Sequence, residues 1–174
     1  MYPTLNIEYE QTGNIYAQDV VYLWKTHSVK VNDVIVFKVY DNETSNSFEY
    51  YIKRVIAKSG DTVQFKRSSD INENLVATYD LYVNDKLVNE SYIAEDMIFN
   101  VQSQKFASII NEEKIEIPQN CIYVMGDNRN HSEDSRELGC INLNDVVGKV
   151  LIHVPYGDSI GSGIIKSIKQ GYLF

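Results

Sequence analysis

"EYYIKRVIA" (49–57) decides how this chain folds. It is dense in β-branched and aromatic residues. As an extended strand it places Tyr51, Lys53 and Val55 on one face and Ile52 and Arg54 on the other. Working outward, the same strand character returns in "DVVYLW" (19–24), "DVIVFKVY" (33–40), "DTVQF" (61–65), "CIYVM" (121–125) and "DVVGKVLIHV" (145–154). "LYVNDKLV" (81–88) carries a hairpin signal, because Asn84 and Asp85 tolerate the positive φ of a two-residue turn. Short strands at this spacing, with few helical patterns, predict an all-β, mainly antiparallel barrel or sandwich.

Composition bounds the rest. The 174 residues suffice for one domain, or for a domain with a small insertion. A hydrophobic share of 44% and a charged share of 23% fit a folded, soluble piece. Twenty-four acidic against sixteen basic residues give a net charge of −8. No basic run is present to neutralise phosphates, so nucleic acid is excluded as a partner. Cys121 and Cys140 are too few for a disulfide scaffold, although they can pair. Neither sits in a CxxC, and His27, His131 and His153 lack ligand spacing, so no metal or cofactor is expected. No apolar run approaches the roughly 18 to 20 residues of a membrane span, and no signal peptide opens the chain.

Residues 66–117 are more polar than their flanks, with "KRSSDINEN" (66–74) and "NEEK" (111–114) reading as loops. This pattern predicts an inserted subdomain. The tail opens with a flexible "GDSIGSG" (157–163). In the following "IIKSIKQGYLF" (164–174), Ile164, Ile165 and Ile168 share one helical face. A helix packed on the barrel is the expectation, with a membrane-surface contact as the alternative.

Three stretches carry candidate chemistry. Lys53 has apolar neighbours, and desolvation lowers an ammonium's pKa until the lysine can serve as a base near neutral pH. A fall from about 10.4 to about 8 would cost roughly 3 kcal/mol of stability at low pH. On spacing alone, a lysine snorkelling from a sheet edge is the favoured reading. The run "MGDNRNHSEDSRELG" (125–139) supplies Asp127, Asp134, Arg129 and Arg136 for ion pairs, and Ser132 and Ser135 for hydrogen bonds. It is either a solvated turn or a buried network in which arginine–carboxylate pairs fix a loop beside a site. "MYPTL" (1–5) offers a proline bend and an apolar Leu5.

Taken in order, "MYPTL" (1–5), "NDVIVFK" (32–38), "YIKRVIAKSGDTV" (51–63) and "MGDNRNHSEDSRELG" (125–139) resemble type I signal peptidase, a family of membrane-bound serine proteases. The resemblance implies a β-rich catalytic core from residues 1–63 and 118–174, with a small inserted β subdomain at 64–117. Lys53 matches the general base, and Ser132 matches the serine that hydrogen-bonds and orients it. Asp134 and Arg136 match a supporting ion pair, while Asp127, Asn128 and Arg129 shape the same loop. Met1, Pro3, Thr4 and Leu5 match a Ser-Met-x-Pro-Thr-Leu motif, so the nucleophilic serine is expected immediately before Met1. The chain as given is then expected to be inactive and to lack an upstream membrane anchor. Leu5, Tyr51 and Ile52, beside Met1, are expected to line shallow pockets that admit small side chains, giving Ala-x-Ala specificity.

The expected partners are thus signal peptides of secreted preproteins, at the extracytoplasmic face of a cell membrane. Exposed strand edges and the groove near Leu5, Tyr51 and Ile52 predict self-association, with "GYLF" (171–174) as a candidate occupant of a neighbour's groove. The short insertion is closer to Gram-positive members. Asn32, where Gly commonly precedes the Asp, and Lys58-Ser59, in place of a Leu-Pro-like pair, predict altered turns without loss of function. A non-catalytic signal-peptidase-like factor for pilus or surface-polymer assembly is the main alternative. A self-cleaving repressor, which needs a DNA-binding domain, is remote.

Overall fold

A computed structural model describes residues 19–40 and 47–158. The strands are β1 (Val20–Trp24), β2 (Val34–Tyr40), β3 (Phe48–Lys58), β4 (Thr62–Arg67), β5 (Val76–Val83) and β6 (Lys86–Leu87). After β7 (Ile98–Asn100) come a one-turn helix α1 (Ala107–Ile110), β8 (Ile115–Glu116) and β9 (Cys121–Met125). A second short helix α2 (Ser135–Leu138), β10 (Ile141–Asn142) and β11 (Val146–Val154) complete the described chain. Met1, Leu5 and the tail at 164–174 lie outside the described residues, as do the contacts expected of them.

Two antiparallel sheets form, and the strands divide between them by position in the sequence. The six-stranded sheet runs β1-β11-β2-β3-β9-β10, and the five-stranded one runs β6-β5-β4-β8 with β7 beside β5. Every strand of the second sheet comes from residues 62–116, and none of the first does. One hydrophobic cluster spans both, because Ile56, Ala57, Tyr123 and Met125 pack with Phe65, Leu81, Phe99 and Ile117. A second cluster fills the other face of the first sheet with Ile35, Phe37, Val55, Ile122 and Val124.

The β5–β6 turn is as expected, with Asn84 at φ 51° and Asp85 at φ 63°. The segment at 66–117 holds more structure than its polarity suggests. Lys66 and Arg67 belong to β4, β5 begins five residues before the hairpin stretch, and Ala77, Tyr79, Leu81, Met97, Phe99 and Ile109 are buried. Polar residues here cover the outer faces of short strands, so the average hydropathy conceals the core.

β3 decides the position of the site. It lies between β2 and β9, with Ile35 opposite Lys53 and Met125 opposite Arg54. Lys53 is therefore on a central strand, which rules out the sheet-edge reading. The turn before β2 holds Asn32 at φ 73°, a left-handed conformation that asparagine tolerates and glycine enters freely. That conformation explains how Asn can occupy this position. Its N–H donates to Val55 O at 2.8 Å, tying the turn to β3.

Candidate active site

Because β3 and β9 are antiparallel and Arg54 faces Met125, the residue after β9 falls beside Lys53. That residue is Gly126, which sequence reasoning did not single out although it lies inside the polar motif. Ser132 packs directly against it. A Cβ built on Gly126 would lie 2.1 Å from Ser132 Oγ and 3.6 Å from Lys53 Cδ. The glycine thus supplies the space in which the serine approaches the lysine.

Ser132 Oγ is buried and makes no hydrogen bond to any described residue. The expected hydrogen bond to Lys53 is not formed in this structure. Lys53 is half-buried, and among the described residues no carboxylate lies within ion-pair distance of its Nζ. Its nearest aromatic contact is the Tyr51 ring, 5.2 Å from Nζ. Burial lowers the Lys53 pKa, opposed by the charges of Asp134 and Glu133 and aided by that of Arg136.

The polar loop is a buried network, with Asp127, Arg129 and Asp134 each no more than 2% exposed. Its pairing is only partly local. Asp134 and Arg136 do pair, by Nε to Oδ1 and Nη2 to Oδ2, each at 2.8 Å. Asp127 is held instead by Arg54 on β3, with Nε donating to Oδ1 at 2.9 Å and Nη2 to Oδ2 at 2.7 Å. Arg129 reaches Glu90, 39 positions earlier in the chain, with Nη1 donating to Oε2 at 2.6 Å and Nη2 to Oε1. The Tyr92 ring lies beneath both cations, 4.1 Å from Arg54 Cζ and 5.8 Å from Arg129 Cζ. Glu90 and Tyr92 belong to no recognisable motif, and no local signal in the sequence marks them.

Each of these pairs fixes backbone around Gly126. Its N–H donates to Asp134 Oδ2 at 2.9 Å, and its carbonyl accepts from Arg129 Nε at 3.1 Å. Ser135 Oγ accepts from Val124 N at 2.9 Å, tying α2 to β9. Asp134 also caps α2 by accepting from Arg136 N. Asn128 is half-buried and precedes the 3-10 turn Arg129–His131, where its carbonyl accepts from His131 N at 3.2 Å.

Tyr51 and Ile52 flank the lysine on opposite faces of β3. Tyr51 packs toward Phe37, ring centroids 6.1 Å apart, while Ile52 packs against Val34 and Val150. The Tyr51 hydroxyl donates to Glu133 Oε2 at 2.9 Å. This bond, with burial and the carboxylate's charge, pushes the phenol up to about 12. A groove of about 360 Å³ opens beside Tyr51 and is lined by Val39, Tyr40, Phe48 and Glu49.

The pattern for "Signal peptidase, peptidase S26" matches residues 1–154. Signal peptidase I of Bacillus caldolyticus is 37% identical over 121 residues, covering 68% of this chain and 57% of the relative. Signal peptidase IB of Staphylococcus aureus is 32% identical over 134 residues, covering 73% and 61%. The chloroplastic thylakoidal processing peptidase 1 of Arabidopsis thaliana is 27% identical over 155 residues, covering 86% and 37%. The chain therefore spans between about a third and three fifths of these relatives' lengths. A crystal structure of a signal peptidase I from Enterococcus faecalis aligns with a TM-score of 0.47 and 21% identity, over 71% of this chain and 97% of that one. The chain belongs to the signal peptidase, peptidase S26, family.

Proposed function

We propose that this chain is the catalytic region of a type I signal peptidase, which cleaves signal peptides from exported preproteins by Ser–Lys acyl transfer. The observation that carries the reading is Lys53: a desolvated amine on a central strand, without a carboxylate partner among the described residues, facing the buried Ser132 hydroxyl across Gly126. Neutral Lys53 takes the proton from a serine at the position preceding Met1. That serine attacks the scissile carbonyl, and water then releases the acyl-enzyme. Ser132 orients the amine by closing onto it as substrate excludes water. Asp127, Asn128, Arg129, Asp134 and Arg136 hold the loop that carries it.

Met1, Leu5, Tyr51 and Ile52 are assigned to substrate binding, through filled apolar pockets that admit only small residues. Residues 1–63 and 118–174 act as the core domain, and 64–117 as the second domain. The native protein sits at a membrane with this region on the extracytoplasmic face, and its exposed groove supports self-association.

The test uses the chain extended at its amino end by serine and the segment encoded before it, beside a Lys53→Ala twin. Cleavage of a preprotein after a small residue, lost in the twin, supports the protease. A folded, membrane-bound protein that cleaves none of several preproteins favours the assembly-factor role instead.

A further inference from the structure

Cys121 and Cys140 stand at the two ends of the polar loop, 19 positions apart, with their sulfurs 2.9 Å from each other. Cys121 opens β9 and Cys140 lies between α2 and β10, so the segment between them contains Gly126, Ser132 and all three of the loop's buried charges. Both cysteines are reduced in this structure and half-buried. A disulfide requires sulfurs about 2.05 Å apart, so bond formation needs a closure of roughly 1 Å.

The register of β9 and β10 makes the two cysteines diagonal neighbours across the strand pair. Asn142 lies opposite Cys121, and Ile141 opposite Ile122. Asn120 Nδ2 donates to Asn142 Oδ1, and Leu143 N donates to Asn120 O, both at 2.9 Å. A groove of about 290 Å³ lined by His27, Lys58, Ser59 and Leu143 opens onto Cys121 and gives an oxidant access.

We propose that Cys121 and Cys140 are a disulfide site, and that the bond staples the base of the loop carrying Ser132 when the chain meets an oxidising compartment. The oxidant is a disulfide, of a small thiol or of a thiol–disulfide oxidoreductase. Burial and the Cys140 contact push the Cys121 thiol up to about 11, so the exchange begins only when one of the two cysteines has lost its proton to become a thiolate. That thiolate attacks the oxidant's disulfide, forming a mixed disulfide and releasing one thiolate. The other cysteine's sulfur, giving up its proton, then attacks the protein sulfur of that mixed disulfide and expels the second. Two protein thiols are oxidised and one external disulfide is reduced to two thiols. The closed loop of about 20 residues removes entropy from the unfolded chain, so oxidation raises Tm by several degrees.

This inference uses the extracytoplasmic reading only for where the oxidant is met, and its test needs no cleavage assay. The purified 174-residue chain is equilibrated with excess oxidised glutathione. Expected are loss of two hydrogens from the intact mass, a cross-linked Cys121–Cys140 peptide, a raised Tm and full reversal by dithiothreitol. Cys140→Ser should show none of the mass loss. Two thiols that remain open to alkylation, stable glutathione adducts, or cross-links between chains would each overturn the pairing. A bond that forms while Tm stays fixed would overturn the stapling.

Discussion

Gly126→Ala tests whether the glycine's empty side matters to the lysine–serine pair. The added methyl would lie 2.1 Å from Ser132 Oγ and 2.7 Å from its Cβ, where ordinary contact begins near 3.4 Å. Ser132 must therefore retreat by roughly 1 Å, or Gly126 must move. Movement is resisted, because the Gly126 N–H and carbonyl are both engaged, to Asp134 and Arg129. Gly126 is not among the positive-φ glycines, so alanine fits the backbone and the obstacle is steric alone. Overpacking of this kind costs about 1–3 kcal/mol. A displacement of roughly 1 Å at the reacting groups costs on the order of 100-fold in rate.

Gly148→Ala is the matched control. Its methyl would lie 2.5 Å from the Trp24 carbonyl between β1 and β11, away from the lysine. The two variants should lose similar stability in urea, while only Gly126→Ala loses kcat/KM on a preprotein in the serine-extended chain. A folded Gly126→Ala protein that cleaves at the parent rate refutes the reasoning, as does an equal loss of rate in Gly148→Ala.

Three further outcomes follow from the charges around the site. Lys53→Met should raise stability at neutral pH. The unfolded lysine binds its proton more tightly than the folded one, so the penalty is full below the lowered folded pKa and vanishes toward 10.5. Urea unfolding from pH 6 to 10.5 should therefore show an advantage that fades at the top of that range, and a constant advantage would exclude the desolvated amine. Glu133→Gln removes a carboxylate that raises the Lys53 pKa, so the acid limb of the kcat/KM profile should move to lower pH; movement upward would contradict the electrostatics. Glu90→Ala leaves the Arg129 side chain, 0% exposed, without its carboxylate. The expected loss is about 3–5 kcal/mol in urea unfolding, and a loss under about 1 kcal/mol would mean the pair is effectively solvated.

The strands were legible because alternation is a local property, and β2, β3, β9 and β11 each show it in the residues that form them. β7 and β8, at three and two residues, are too short to display a period. Lys53 could be placed on a strand from its neighbours, but its central position depends on strand order, which pairs residues far apart in the chain. The loop's ion pairs illustrate the same limit. Both charge signs are present between 127 and 136, and Asp134 and Arg136 pair within that stretch. Asp127 and Arg129 instead find partners 73 and 39 positions away. Gly126 was hidden for a related reason: its function is the volume it leaves empty, which only its neighbours define.

These pairings account for the state of Lys53. A lysine with Asp134 and Glu133 nearby, beside a loop that also holds Asp127, would ordinarily form an ion pair and stay charged. Here Asp127 is engaged bidentately by Arg54, the lysine's neighbour in sequence but on the opposite face of β3. Asp134 is engaged bidentately by Arg136, so its attraction for the ammonium is opposed by a cation that moves with it. Glu133 is drawn aside by the Tyr51 hydroxyl and remains the least neutralised charge near the amine. Burial can then dominate the titration of Lys53, because the Arg136 guanidinium, which does not deprotonate in proteins, offsets Asp134, and Glu133 is engaged by Tyr51. The same pairs hold the Gly126 backbone against which Ser132 packs. Neutralising Asp134 and positioning the serine are thus one structural requirement, and a substitution that breaks the Asp134–Arg136 pair should disturb both the charge and the geometry of the lysine.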